Sequence, residues 1–126
     1  MVCLDANVML EVILCRQNHI RAIEAISRIK SRPYISMLSV HLVVYFSRVA
    51  HLPFSVIHDS LTKVDILDLN TEDYEWAKIN MRDDDFEDAL QIAVAIRSGC
   101  EMLLTLDKKL HDTYKSLPQL KIQLVK

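Results

Sequence analysis

The segment from Asp83 to Leu110, DDDFEDALQIAVAIRSGCEMLLTLDKKL, constrains the fold more than any other part of the chain. After its acidic start, ALQIAVAI is apolar except for Gln91, which predicts a helix buried between other elements. Gly99, the only glycine, suits the left-handed residue that ends such a helix. The apolar run MLLTL is too short for a helix and therefore predicts a buried strand of a parallel sheet.

Aspartates flank these elements and also follow a similar strand at the start of the chain. Asp85 can serve as the N-cap of the buried helix, and Asp88 then falls on the same face of its first turn. Asp107 follows the strand MLLTL, and Asp5 follows the apolar run from Val2 to Leu4. Ligands of open parallel sheets bind beyond the carboxyl ends of strands, so we expect these acids to converge.

Short strands alternate with helices along the rest of the chain. The segments YISM, VDILDL and KIQLV predict three more strands, and VHLVVYFSRVA predicts a helix that Ser39 can cap. This alternation predicts a single α/β domain over residues 1–126, with a central parallel sheet of four to five strands and helices on both faces.

Convergence of the acids has an electrostatic cost. Carboxylates within a few ångströms repel each other and cannot all stay ionised without a compensating charge, and no lysine or arginine adjoins Asp5 or Asp88. An oxygen-only site suits Mg²⁺ or Mn²⁺, which can activate water and stabilise the charge that develops in phosphodiester cleavage. The alternative is that Asp85 and Asp88 only cap a helix and that the other two acids only end strands.

Lys108 and Lys109 follow Asp107 directly, which makes them candidates for contact with a phosphate. Lysines that open a helix are unfavourable for its dipole, so their position favours a functional cause. The net charge of −2 nevertheless argues against a non-specific nucleic-acid binder that relies on positive charge alone.

Composition excludes several other classes. No apolar run reaches the roughly 18 residues of a membrane helix, so we expect no membrane partner. Cys3, Cys15 and Cys100 follow no pairing pattern, which predicts reduced, buried thiols and a cytoplasmic location. With one glycine, the chain has no phosphate-binding or dinucleotide-binding loop.

Three motifs resemble the signatures of the PIN-domain family. LDANVML, DFEDALQIAVA and LLTLDKKL occur in the family's order and across nearly the whole chain. The resemblance implies a Rossmann-like sheet and a metal-dependent endoribonuclease that cleaves single-stranded or structured RNA. Such proteins are most often VapC-like toxins of type II toxin–antitoxin pairs, so it also implies a small antitoxin protein and a second copy of the chain as partners.

The resemblance assigns roles to single residues. Asp5, Asp88 and Asp107 match the family's catalytic, metal-binding acids, and Asp85 would be an additional metal ligand. The polar positions that support these acids in the family are matched by Asn7, Ser39 and Thr105.

Leu42 departs from the family, whose members usually carry a glutamate three residues beyond a serine or threonine that resembles Ser39. Two interpretations are open. Residue 42 points toward the acids, so that a glutamate there would add a metal ligand, or Leu42 is a packing residue on a helix face with Val43 and Phe46. The departure also supports an alternative function, a catalytically weakened PIN-like RNA-binding or regulatory domain.

Two further classes place a reactive aspartate after the first strand. A phosphatase of the haloacid-dehalogenase type would need a second aspartate at Asn7, so the motif DAN counts against it. A receiver domain would need a lysine after its fifth strand as well as an acid pair near the first, and the sequence does not offer this combination.

Overall fold

The computed structural model describes all 126 residues as five strands and seven helices. The strands are β1 (Val2–Leu4), β2 (Tyr34–Ser36), β3 (Asp65–Leu67), β4 (Met102–Thr105) and β5 (Lys121–Leu124). The helices are α1 (Ala6–Ile13), α2 (His19–Ser27), α3 (Met37–Val49), α4 (Phe54–Leu61), α5 (Thr71–Asn80), α6 (Phe86–Arg97) and α7 (Lys108–Tyr114). All neighbouring strands are parallel, which confirms the predicted α/β class.

The strand order, β3-β2-β1-β4-β5, places the reversal of the sheet between β1 and β4. The chain first builds outward from β1 through β2 to β3 and then returns to the other side of β1 with β4. The backbone N–H of Asp5 donates to the Leu104 carbonyl at 2.9 Å, so the ends of β1 and β4 are joined there. This reversal is the position at which open parallel sheets bind ligands.

Two hydrophobic clusters lie on opposite faces of the sheet, because successive side chains of a strand alternate between faces. Leu4 and Leu104 belong to the larger cluster, with residues of α1 to α4. Cys3 and Leu103 belong to the smaller cluster, with residues of α6 and α7. Helices therefore cover both faces of the five-stranded sheet, as the sequence predicts.

Helix α6 is the buried helix that the apolar run ALQIAVAI predicts. Six of its residues are buried, and it ends before Gly99, whose φ of +79° is the left-handed conformation that favours glycine. Asp85 is its N-cap, as predicted, and accepts a hydrogen bond from the backbone N–H of Asp88.

Two predictions about local structure are wrong. Ser36, not Ser39, caps α3, because the helix already begins at Met37 and the Ser36 hydroxyl accepts the hydrogen bond from the Ser39 N–H at 3.1 Å. Cys15 is exposed, although Cys3 and Cys100 are buried as expected. The exposure follows from its place after α1, in a turn where its φ is +48°.

None of the seven helices combines the length and the apolar content that crossing a lipid bilayer would require.

Candidate active site

A hydrogen-bonded network fixes the Asp5 carboxylate at the end of β1. The Thr105 hydroxyl donates to Asp5 Oδ2 at 2.7 Å, and Asn7 Nδ2 donates to the same oxygen at 3.2 Å. The backbone N–H of Leu106 donates to Asn7 Oδ1 at 3.1 Å, and that of Asp107 donates to Thr105 Oγ1 at 3.0 Å. Asn7 and Thr105 thus hold both the Asp5 side chain and the backbone that leads to Asp107.

Two of the acids lie at helix N-termini. Asp85 Oδ1 accepts from the Asp88 N–H at 3.1 Å, and Asp107 Oδ1 accepts from the Leu110 N–H at 3.2 Å. Each of these carboxylates uses one oxygen as a cap. The capping interpretation of the sequence therefore holds for Asp85 and also describes Asp107.

Asp88 has a buried oxygen without a hydrogen-bond partner. Its Oδ2 is shielded from solvent and accepts no hydrogen bond, and its own backbone N–H is taken by Asp85. Burial, followed by the negative charges of Asp85, Asp5, Asp107 and Asp83, raises the pKa of Asp88 to about 7. This oxygen is deprived of both solvent and donors, which is costly for the charged form of the half-buried carboxyl.

The pKa of Asp5 is raised for the same reasons. Burial is the largest cause, and the charges of Asp107 and Glu87 add to it, while the hydrogen bond from Thr105 acts in the opposite direction. The outcome is a pKa of about 6. The acids that the sequence predicts to converge are thus close enough for their charges to act on one another.

The acids fit a divalent cation by their chemistry. No arginine or lysine forms an ion pair with Asp5, Asp85, Asp88 or Asp107. In the structure, no three side chains of histidine, cysteine, aspartate or glutamate lie close enough together to hold one metal ion. The donor set is nevertheless oxygen only, and the unpartnered Asp88 oxygen is the kind of atom that a hard cation binds.

The remaining predicted residues lie around this cluster. Lys108 Nζ is 2.8 Å from Asp112 on the same helix, and Lys109 Nζ is 3.9 Å from Asp83 Oδ2. Both lysine side chains are exposed. The Ser39 hydroxyl is buried and has no hydrogen-bond partner, so it makes no hydrogen bond to the acids.

Leu42 is partly buried and packs against the larger hydrophobic cluster. This contact supports the interpretation that it is a packing residue. The expectation that residue 42 points toward the acids receives no support from the contacts of this side chain.

Three residues near the acids are missing from the sequence prediction. Asp83, whose Oδ2 is buried, belongs to the run DDDFED, in which no local pattern distinguishes it from the exposed Asp84. Tyr114 is fully buried, and its hydroxyl accepts from the Arg82 N–H at 3.3 Å. Gln91 was visible in the sequence as the only polar residue of an apolar run, although its partners were not.

The family model of the PIN domain matches residues 1–109. A search of curated proteins finds no match.

Several solved structures share the fold. A toxin–antitoxin complex from Klebsiella pneumoniae aligns with a TM-score of 0.78 at 16% identity, covering 95% of both chains. DNA-bound VapBC from Salmonella typhimurium aligns with a TM-score of 0.72 at 18% identity, covering 99% of this chain and 98% of that one. A sarcin–ricin-loop-cleaving VapC toxin from Mycobacterium tuberculosis aligns with a TM-score of 0.71 at 12% identity, covering 89% and 94%. At such identities the alignments show a common fold.

Proposed function

This chain belongs to the PIN-domain family, a family of nucleases, and from that premise we propose that it is a divalent-metal-dependent endoribonuclease. Its substrate is RNA that is single-stranded or carries accessible structured regions. We further propose that it is the toxin of a type II toxin–antitoxin pair. The motifs LDANVML, DFEDALQIAVA and LLTLDKKL support both proposals, as does the fold shared with structures that are described as toxin–antitoxin complexes.

The environment of the Asp88 carboxyl is the observation that supports the proposal most strongly. Its buried Oδ2 has no partner, and burial together with the neighbouring acids raises the pKa of its carboxyl to about 7. A folded chain that keeps an acid in such surroundings loses stability by doing so, unless another group compensates the charge. A bound divalent cation supplies that compensation.

In this proposal Asp5, Asp88 and Asp107 hold Mg²⁺ or Mn²⁺, and Asp85 is an additional ligand. Such an ion supplies an activated water and stabilises the negative charge that develops on a cleaved phosphodiester. Asn7 and Thr105 orient the Asp5 carboxylate by donating to its Oδ2.

Protonation of Asp88 and Asp5 makes the binding of a metal ion depend on pH. Because the pKa of Asp88 is about 7 and that of Asp5 about 6, both acids hold protons for part of the time near neutral pH. These protons must leave before the carboxylates can act as ligands. Lys108 and Lys109 are exposed at the start of α7, where they can contact RNA phosphates.

The proposed partners follow from the same function. A small antitoxin protein would bind and inhibit the chain, and two copies of the chain would associate as a homodimer in the cytoplasm. A growth assay addresses the toxin proposal: induced expression of the chain should arrest bacterial growth, whereas expression of Asp5→Asn should not.

One observation favours a second candidate, a catalytically weakened PIN-like RNA-binding or regulatory domain. Leu42 occupies the position of the family's helix glutamate and packs against apolar residues, so it offers no oxygen ligand. One assay distinguishes a nuclease from a domain that binds RNA without cleaving it.

That assay follows a labelled single-stranded RNA with Mn²⁺, with Mg²⁺ and with chelator. The proposed endonuclease cuts internally with either metal, stops with chelator and is inactive as Asp88→Asn. Asp112→Asn is the matched control, because Asp112 lies on α7 and contacts Lys108 and His111 but none of the four acids. Retention of intact RNA by the unmodified protein with both metals would support the second candidate and contradict the first.

A further inference from the structure

Gln91 is a buried polar residue that joins three elements at the candidate site. Its side chain, on α6, is 3% exposed. The Ser36 hydroxyl, at the end of β2, donates to its Oε1 at 2.6 Å. Its Nε2 donates to the carbonyl of Leu4, at the end of β1, at 3.4 Å.

The partners fix the orientation of the Gln91 amide. Ser36 Oγ already accepts from the Ser39 N–H, so its own hydroxyl proton is directed to the amide oxygen of Gln91. The Leu4 carbonyl can only accept, so it must face the amide nitrogen. Neither an ionised carboxylate nor an apolar side chain of this size could satisfy both partners.

Gln91 lies three residues after Asp88, on the same face of α6. Leu4, whose carbonyl it binds, directly precedes Asp5. We infer that Gln91 is a positioning residue that holds Asp88 beside Asp5, with Ser36 fixing its amide. The inference rests on the proposed function only for its effect on metal binding and cleavage.

The hydrogen bonds of Gln91 have an electrostatic role in addition to packing. The charges of Asp5 and Asp88 repel each other, which favours movement of the first turn of α6 away from β1. Apolar packing alone is already supplied by Ala89, Ile92, Ala93, Val94 and Ala95, which are all buried on α6. Hydrogen bonds to the strand ends oppose the repulsion close to where it acts.

A stability measurement without metal or RNA tests the inference. In chelator at pH 8, Asp88→Asn should raise the melting temperature because it removes repulsion. With Gln91→Met, which removes both hydrogen bonds at similar volume, α6 can move away from Asp5. Asp88→Asn should then raise the melting temperature by less than half as much.

Arg97→Met is the matched control, because Arg97 binds Asp73 and Asp68 at the other end of α6. In that background Asp88→Asn should have its full effect. Ser36→Ala removes only the Ser36–Gln91 hydrogen bond, together with the N-cap of α3, and leaves the Gln91–Leu4 bond in place. It should therefore reduce the rise in the same direction as Gln91→Met but by less, which keeps the test valid if Gln91→Met does not fold. An equal rise in the Gln91→Met and Ser36→Ala backgrounds, or no rise in the unmodified protein, would overturn the inference.

The functional consequence is measured separately. Gln91→Met should weaken Mn²⁺ binding by about tenfold or more, as loss of a contact that orients metal ligands does, and should lower kcat more than it changes KM. Arg97→Met should leave both quantities close to those of the unmodified protein. If the unmodified protein neither binds Mn²⁺ nor cleaves RNA, the proposed function fails, while the stability comparison still decides the role of Gln91.

Discussion

Asp88→Asn should stabilise the metal-free protein at pH 8, although it removes a central acid of the candidate site. The Asp88 side chain accepts no hydrogen bond at its buried Oδ2, so the substitution removes repulsion without breaking a contact at that atom. Capping of α6 does not depend on this side chain, because Asp85 is the N-cap.

The size of the effect follows from the pKa of Asp88. A rise from 3.8 to about 7 corresponds to at most about 4 kcal/mol of destabilisation of the folded state at high pH. Asp88 is only partly buried, so solvent screens part of this energy, and asparagine loses a favourable helix-dipole interaction of about 0.3–1 kcal/mol. We expect a net gain of about 1 kcal/mol, or roughly 3–5 °C in melting temperature.

The pH dependence has a definite sign. The raised pKa means that the folded protein binds more protons than the unfolded chain between the ordinary pKa of 3.8 and about 7. The contribution of the Asp88 proton to the free energy of unfolding is therefore fully present below about pH 4 and is lost as the pH rises through about 7. The difference between Asp88→Asn and the unmodified protein should accordingly grow from pH 5 to pH 8.

Thermal and urea unfolding in chelator at several pH values measure this difference. Asp73→Asn is the matched control: Asp73 is 1% exposed and accepts from Arg97 Nε at 2.7 Å, so its loss should destabilise the protein. If Asp88→Asn also destabilises at pH 8, or if its effect does not change with pH, burial and the neighbouring acids do not raise the pKa of Asp88 as the structure indicates.

Two other substitutions have expected outcomes. Leu42→Glu should cost about 1–3 kcal/mol by placing a charge against the larger hydrophobic cluster, and Mn²⁺ should not restore the melting temperature; tighter Mn²⁺ binding would instead show that position 42 faces the acids. Asn7→Ala should destabilise by about 1–3 kcal/mol, because the Leu106 N–H loses its acceptor and Asp5 loses a donor. It should also weaken Mn²⁺ binding by about tenfold, as judged by calorimetry, and unchanged affinity would contradict the supporting role of Asn7.

The parts of the fold that follow from local pattern were predictable. The helix before Gly99 and the strand before Asp107 are both apolar segments with a residue that marks their end. Both are found where the sequence places them. The cap of α3 was not predictable in the same way. Ser36 and Ser39 are both serines near the start of the helix, and the choice depends on where β2 ends, which is decided by its pairing with β1 and β3.

For the candidate site, sequence reasoning identifies acids better than the residues that hold them. Asp5 and Asp107 follow strands, so the topology of a parallel sheet is enough to place them at one edge. Gln91 contacts Ser36 and Leu4, which are 55 and 87 residues away in the chain. Such contacts depend on the packing of α6 against two strand ends, and no local pattern encodes them.

Calorimetric titration of Mn²⁺ into the unmodified protein and into Asp88→Asn tests the central claim most directly. Because the pKa of Asp88 is about 7, binding at pH 7 should release about half a proton from this group, and the observed enthalpy should vary with the ionisation enthalpy of the buffer. Asp88→Asn should bind Mn²⁺ much more weakly and without this proton release. Equal affinity in the two proteins, or binding by the unmodified protein without proton release, would contradict the assignment of these acids as the metal site.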